Sequence, residues 1–165
     1  VLRDVVFADF LPLPARGTPS MPTTLTMDTH HPAGHLPVSC KGERYERRHG
    51  DVGLLNALKC TDRLISSLVD RIRRSPYGAD TLIVIASDHL AMPNDLSDVL
   101  ADMHRENLLL MLAPDLSPRQ IERGGSTLDT GATVLHLLDP RQTALGFGPS
   151  LLGGPPAGGP DRRRG

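Results

Sequence analysis

The run Thr81–Ala86 (TLIVIA) constrains the fold more than any other stretch of this chain. It is continuously apolar, bounded by Asp80 and Ser87, and too short for a buried helix. Such a run suits a strand covered on both faces, as in a parallel sheet beneath helices. A second run, Leu108–Ala113 (LLLMLA), stops at Pro114 and reads as the next strand. Between residues 51 and 75 the period changes. Leu54, Leu55, Leu58, Leu64, Ile65, Leu68, Val69 and Ile72 recur at spacings of three and four, an amphipathic helix with Asp51 as its expected N-cap. Ser75-Pro76 and Gly78 stop it. Thr130–Leu138 reads as a shorter helix, capped by Asp129 or Thr130 and ended by Pro140. Thr23–Met27 (TTLTM) reads as a short strand. The order β, loop, α, β, loop, β, α indicates an α/β layered fold with a largely parallel sheet.

Proline and glycine mark the domain limits. Pro12, Pro14, Gly17, Pro19 and Pro22 make residues 1–22 an irregular lead-in. The folded domain is expected over residues 23–152. Residues 153–165 read as a disordered Gly/Pro/Arg tail ending in Arg162, Arg163 and Arg164. The length of 165 residues suits one domain. With 18 Lys plus Arg against 19 Asp plus Glu, the net charge of −1 argues against nucleic acid as a partner. Neither apolar run approaches the ~20 residues of a membrane-spanning helix. The chain starts at Val1 with no signal-peptide pattern, which reads as a processed product or a piece of something longer.

In open α/β sheets, ligands gather beyond the carboxyl ends of strands. Strand 81–86 runs into Ser87-Asp88-His89, and segment 23–27 runs into Asp28-Thr29-His30-His31-Pro32. A carboxylate beside an imidazole suits Mn²⁺, Zn²⁺ or, less well, Mg²⁺, where the backbone turns enough to bring both to one ion. The same Asp88-His89 dipeptide also reads as a turn-capping Asp beside a surface His. His30 and His31 suit a metal, a phosphate, a substrate hydroxyl or a bond to their own loop. His136 lies on an apolar helix face and reads as a boundary residue. Cys40 and Cys60 fit no CxxC pattern. They either close a loop of about 20 residues, worth roughly 3 kcal/mol, or remain two buried thiols. There is no GxSxG, GxxxxGK[ST], HExxH or GxGxxG motif, and no nucleophile stands in an activating context.

Five segments in order resemble one family. They are TMDTHHP (residues 26–32), SDHLAM (87–92), RENL (105–108), DTGATVL (129–135) and LGFG (145–148). Together they resemble the phosphoglycerol transferases of the sulfatase/alkaline-phosphatase superfamily, relatives of the lipoteichoic acid synthases. The resemblance covers roughly residues 23–152 and implies the C-terminal part of an alkaline-phosphatase-like α/β fold. It implies an enzyme on the periplasmic face of a bacterial inner membrane, anchored through a region outside this chain. The implied reaction moves phosphoglycerol from phosphatidylglycerol to osmoregulated periplasmic glucans through a covalent Thr intermediate.

Under this resemblance Asp88 and His89 are metal ligands, with Mn²⁺ the leading candidate. His30 contacts the phosphoglycerol group, and His31 takes the place of a family aromatic. Cys40 and Cys60 match a cysteine pair, which implies a disulfide. The family's nucleophilic Thr and first acidic ligand lie upstream of the TMDTHHP segment, so the chain alone is expected to be inactive. Pro149 stands where the family tends to carry Arg, and residues 153–165 match nothing in it, as a truncated or shifted reading frame would produce. The competing expectations are a hydrolase of the same superfamily, sulfatase or phosphodiesterase, and an inactive orphan fragment.

Overall fold

The computed structural model describes residues 2–45 and 51–153. The helices and strands run α1 (Leu2–Phe10), α2 (Gly53–Arg73), β1 (Ile83–Ala86), α3 (Ser97–Ala101), β2 (Leu109–Leu112), α4 (Leu128–Leu138), β3 (Ala144–Leu145) and β4 (Gly148–Pro149). Two compact units divide the chain. One comprises Val1–Val84, Leu90–Glu106 and Met111–Asp115; the other comprises Ile85–His89, Asn107–Leu110 and Leu116–Gly165.

The first unit is built on α2. Its amino-terminal half buries Leu54, Asn56, Ala57, Cys60 and Thr61, and Ile72 is buried near its other end. A disulfide joins Cys60 to Cys40, with Cα atoms 6.0 Å apart, and pins the 38–43 segment to the helix. The buried Asn56 side chain is satisfied on both sides. Its Oδ1 accepts Tyr45 N–H at 2.7 Å, and its Nδ2 donates to Asp51 Oδ1 at 2.6 Å. Asp51 is therefore not the N-cap. That position belongs to Val52, with no side-chain cap bond, because the Asp51 carboxylate is engaged by Asn56 instead.

Helix α1 corrects the irregular reading of residues 1–22. Its span holds no Pro or Gly, and it docks on α2 through charge. Arg71 Nη1 donates to Asp4 Oδ1 at 2.6 Å while its guanidinium lies 4.1 Å from the centroid of the Phe7 ring. Arg3 bonds Asp4 and also reaches Ser67 Oγ at 3.2 Å.

The expected strand at 23–27 does not form. Pro19 and Pro22 offer no N–H to a ladder, and Thr23–Met27 is not strand. Its end instead starts a turn, with His30 N–H donating to Met27 O at 3.1 Å.

Strands β1 and β2 form a two-stranded sheet. Ser87 N–H donates to Leu108 O at 2.9 Å, which sets the end of β1 beside the start of β2, as antiparallel strands require. This differs from the expected parallel arrangement. Nor is β1 covered on both faces, since Val84 is 37 % exposed and Ala86 is exposed. Among the described residues no further strand joins this sheet and no large parallel sheet forms.

In the second unit α4 packs against the antiparallel β3–β4 hairpin, registered Ala144 to Pro149 and Leu145 to Gly148. Pro140 follows its end as expected, but neither Asp129 nor Thr130 is the cap, which is Thr127. Asp129 lies inside the first turn, where Oδ2 accepts Ser126 N–H at 2.6 Å. Residues 154–165, the core of the expected tail, lie outside the described residues.

Candidate functional site

The candidate site residues fall in two loops, one in each compact unit. The Met27–His35 loop is a closed turn. Gly34 N–H donates to His30 O at 3.0 Å, and His35 N–H to Asp28 O at 2.6 Å. Gly34 has φ 70°, and a Cβ there would lie 2.8 Å from Ala57 Cβ and 3.2 Å from Leu54 Cα. Only glycine lets this loop lie against α2. The turn presents His30 outward and stacks its ring on His31, with centroids 4.4 Å apart and planes 28° from parallel. His30 Nδ1 lies 2.9 Å from His31 O. A carbonyl accepts only, so in this bond Nδ1 carries the proton and Nε2 is the other ring nitrogen, on the far side of the ring. Deprotonated, that nitrogen accepts from a hydroxyl; protonated, it donates to a phosphate oxygen.

The second loop leaves the end of β1. Ser87 fixes it on both sides of the strand end, since Leu108 N–H donates to Ser87 Oγ at 3.1 Å in addition to the Ser87–Leu108 backbone bond. Beyond that anchor Asp88 Oδ1 accepts His89 N–H at 3.0 Å. The other carboxylate oxygen, Oδ2, lies 3.4 Å from His89 Nε2. The backbone turn thus brings two adjacent side chains to one side. Two donors each about 2.1 Å from a cation, at octahedral to tetrahedral angles, stand about 3.0–3.4 Å apart. The pair therefore fits two positions of a divalent shell, one oxygen and one nitrogen. It does not complete one. Among the described residues no group of three or more His, Cys, Asp and Glu could hold a metal ion. Both side chains are largely exposed, at 66 % for Asp88 and 58 % for His89.

Two polar clusters were not legible as functional in the sequence. Thr133, fully buried, donates to Asp129 O at 2.7 Å and accepts Leu151 N–H at 2.9 Å. His136 Nδ1 lies 2.8 Å from Ser150 Oγ. These bonds tie the DTGATVL helix to the segment after β4, and they make His136 the boundary residue its apolar surroundings suggest. Ser87 is the other case. Its signal is its place between an apolar strand and the Asp-His pair.

No helix among the described residues is long and apolar enough to cross a membrane.

A family model described as Sulfatase matches residues 6–140. Phosphoglycerol transferase I of Xanthomonas campestris pv. campestris (strain B100) is 64% identical over 153 residues, which is 92% of this chain and 22% of that relative. The protein of the same name from Xanthomonas euvesicatoria pv. vesicatoria (strain 85-10) is 63% identical over the same coverage. That of Salmonella arizonae is 38% identical over 135 residues, 79% of this chain and 17% of the relative. The chain thus spans about a fifth of the length of these curated relatives. No solved structure matches it.

Proposed function

The chain belongs to the sulfatase family, and from that premise we propose that it forms part of a phosphoglycerol transferase. The observation that carries the reading is the 64% identity to phosphoglycerol transferase I across 92% of the chain. The reaction we propose moves phosphoglycerol from phosphatidylglycerol to an osmoregulated periplasmic glucan through a covalent Thr outside these 165 residues. A bound divalent cation, Mn²⁺ before Mg²⁺ or Zn²⁺, would neutralise phosphate charge and lower the pKa of the nucleophile.

This chain's own residues have separate duties in that scheme. Asp88 and His89 supply an oxygen and a nitrogen ligand, and Ser87 holds their loop against Leu108. His30 Nε2 holds the phosphoglycerol group by hydrogen bonding or charge, with the ring oriented by its Nδ1 bond to His31 O. His31 supports that ring by stacking. The Cys40–Cys60 disulfide supports an oxidising compartment, consistent with the periplasmic face of a bacterial inner membrane. The larger, mostly parallel sheet of an alkaline-phosphatase-like fold belongs to the same proposal.

The test is a chimera in which this chain replaces the matching segment of the Xanthomonas campestris relative. Membranes carrying it should transfer labelled phosphoglycerol from phosphatidylglycerol to periplasmic glucan. Release of glycerol phosphate to water with no glucan labelling would make the protein a hydrolase. A chimera that folds and does neither would make this sequence an inactive relative.

A further inference from the structure

The last hydrogen-bonded step between β1 and β2 departs from a regular ladder. In an antiparallel sheet, two residues facing each other across a hydrogen-bonded pair exchange two bonds from N–H to carbonyl. Ser87 N–H donates to Leu108 O at 2.9 Å, as such a pair requires. The return bond from Leu108 N–H goes to the Ser87 side chain, with Oγ at 3.1 Å. The hydroxyl therefore stands where the Ser87 carbonyl stands in a continuing ladder. Leu108 N–H keeps an acceptor, and the backbone is let go immediately before Asp88.

That release decides where the next two side chains point. Continued as a strand, Asp88 and His89 would face opposite sides of the sheet. They lie together instead, with Asp88 Oδ2 3.4 Å from His89 Nε2. The bond from His89 N–H to Asp88 Oδ1 at 3.0 Å holds the turn once it is made. It does not end the strand, because both of its partners lie beyond residue 87. The ending belongs to Ser87. We propose that Ser87 is a positioning residue for the Asp88-His89 pair, its hydroxyl replacing its own carbonyl in the last ladder step and so turning both side chains toward one divalent cation. The inference rests on the ligand role proposed above for Asp88 and His89.

Residue type and surroundings suit Ser87 to this task. Serine hydroxyls compete with backbone groups for backbone partners and are favoured where regular structure stops. Ser87 is half-buried, while Asp88 and His89 beyond it are exposed. All three, with Leu108, belong to the second compact unit. Ser87→Ala removes the oxygen, so Leu108 N–H returns to the carbonyl of residue 87. The ladder then gains a step, Asp88 is drawn into extended backbone and the pair splays. Ser87→Thr keeps the oxygen on a side chain suited to strands. Ser87→Val keeps the branched shape of threonine without the hydroxyl, so the three variants separate hydroxyl from shape.

The test uses the chimera titrated with Mn²⁺, followed by the paramagnetic signal of the free ion. Ser87→Ala and Ser87→Val should weaken binding by roughly tenfold to a hundredfold, the scale of losing a group that orients metal ligands. Ser87→Thr should bring binding back to the parent level. In the metal-free chain, backbone chemical shifts of Asp88 and His89 should move toward extended values in Ser87→Ala and stay in place in Ser87→Thr. Binding as weak in Ser87→Thr as in Ser87→Val would overturn the proposal. So would parent-level binding in Ser87→Ala, or binding that Asp88→Ala leaves intact. A lowered urea midpoint in Ser87→Ala with unchanged shifts at Asp88 and His89 would reduce Ser87 to a strand-end stabiliser and overturn it as well. Should Ser87→Val fail to fold, Ser87→Ala with Ser87→Thr decides alone. Mn²⁺ binding that depends on both Ser87 and Asp88, without glucan labelling, would sink the proposed function and leave this inference standing. Glucan labelling with Mn²⁺ binding indifferent to Ser87 would do the reverse.

Discussion

At Asp88 the two carboxylate oxygens are placed differently, and mutation can separate the turn bond from the proposed ligand role. Oδ1 accepts the His89 N–H and shapes the turn, while Oδ2 faces His89 Nε2. In the chimera, Asp88→Ala should lose bound metal and transfer together, whereas Asp88→Asn keeps the turn and loses only the anionic ligand. His30→Ala should lower transfer by roughly tenfold to a hundredfold, the scale of losing one oriented charge-stabilising group, with metal content nearly unchanged. Metal analysis beside the transfer assay checks both. Metal lost on His30→Ala would make that imidazole a ligand. At this scale the sequence was legible where apolar surroundings set a residue's place, as at His136, which pairs with Ser150 at the boundary of α4. It was not legible where a side chain chooses among local partners. Asp51 and Asp129 both looked like caps, yet Asp51 holds Asn56 and Asp129 accepts Ser126 N–H from inside the helix. Several competing partners lie within one turn, and spacing does not rank them.

The elements divide in the same way. Helix α2 follows from periodicity, since a long regular pattern averages over single residues, and β1 and β2 follow from their continuous apolar runs. Helix α1 is hidden in the sequence by the prolines from Pro12 onward, although Leu2–Phe10 contains none. Its docking depends on Asp4, whose carboxyl is held below the usual value first by the Arg71 bond and then by Arg3. A lowered carboxylate stabilises the fold above its unfolded value and loses that contribution as pH falls through the folded one. The α1–α2 contact should therefore hold at neutral pH and fade below about pH 3.8. Asp4→Asn should speed hydrogen exchange of α1 amides by roughly twofold at pH 7, a small effect because the pair is exposed. The variant and the wild type should converge in acid, and no difference at pH 7 would remove Asp4 from the docking. The disulfide acts on a larger part of the same unit. Its sequence separation of 20 predicts that Cys40→Ser with Cys60→Ser lowers stability by about 3 kcal/mol, read from the urea midpoint.

The whole molecule explains why an apolar strand can be read correctly and its surroundings misread. The composition of Thr81–Ala86 anticipates cover on both faces, but only one neighbouring strand lies beside β1 among the described residues. Sequence pattern reports the environment a strand is suited to, while the number of strands depends on partners the pattern does not name. The same reasoning applies to the metal pair. Asp88 and His89 stand at a separation suited to one cation, yet no third ligand group forms among the described residues. Catalytic sites usually supply three protein ligands, so two should hold Mn²⁺ weakly. Titrated with Mn²⁺ and followed by the paramagnetic signal of the free ion, the isolated chain should bind with at least about tenfold lower affinity than the chimera, on the scale of one charged ligand bond. Asp88→Ala should abolish binding in both. Removing metal from the chimera with a chelator should stop transfer, and Mn²⁺ should restore it. Tight binding by the isolated chain, unaffected by Asp88→Ala, would move the metal site elsewhere and leave Asp88 with only its turn-shaping bond to His89.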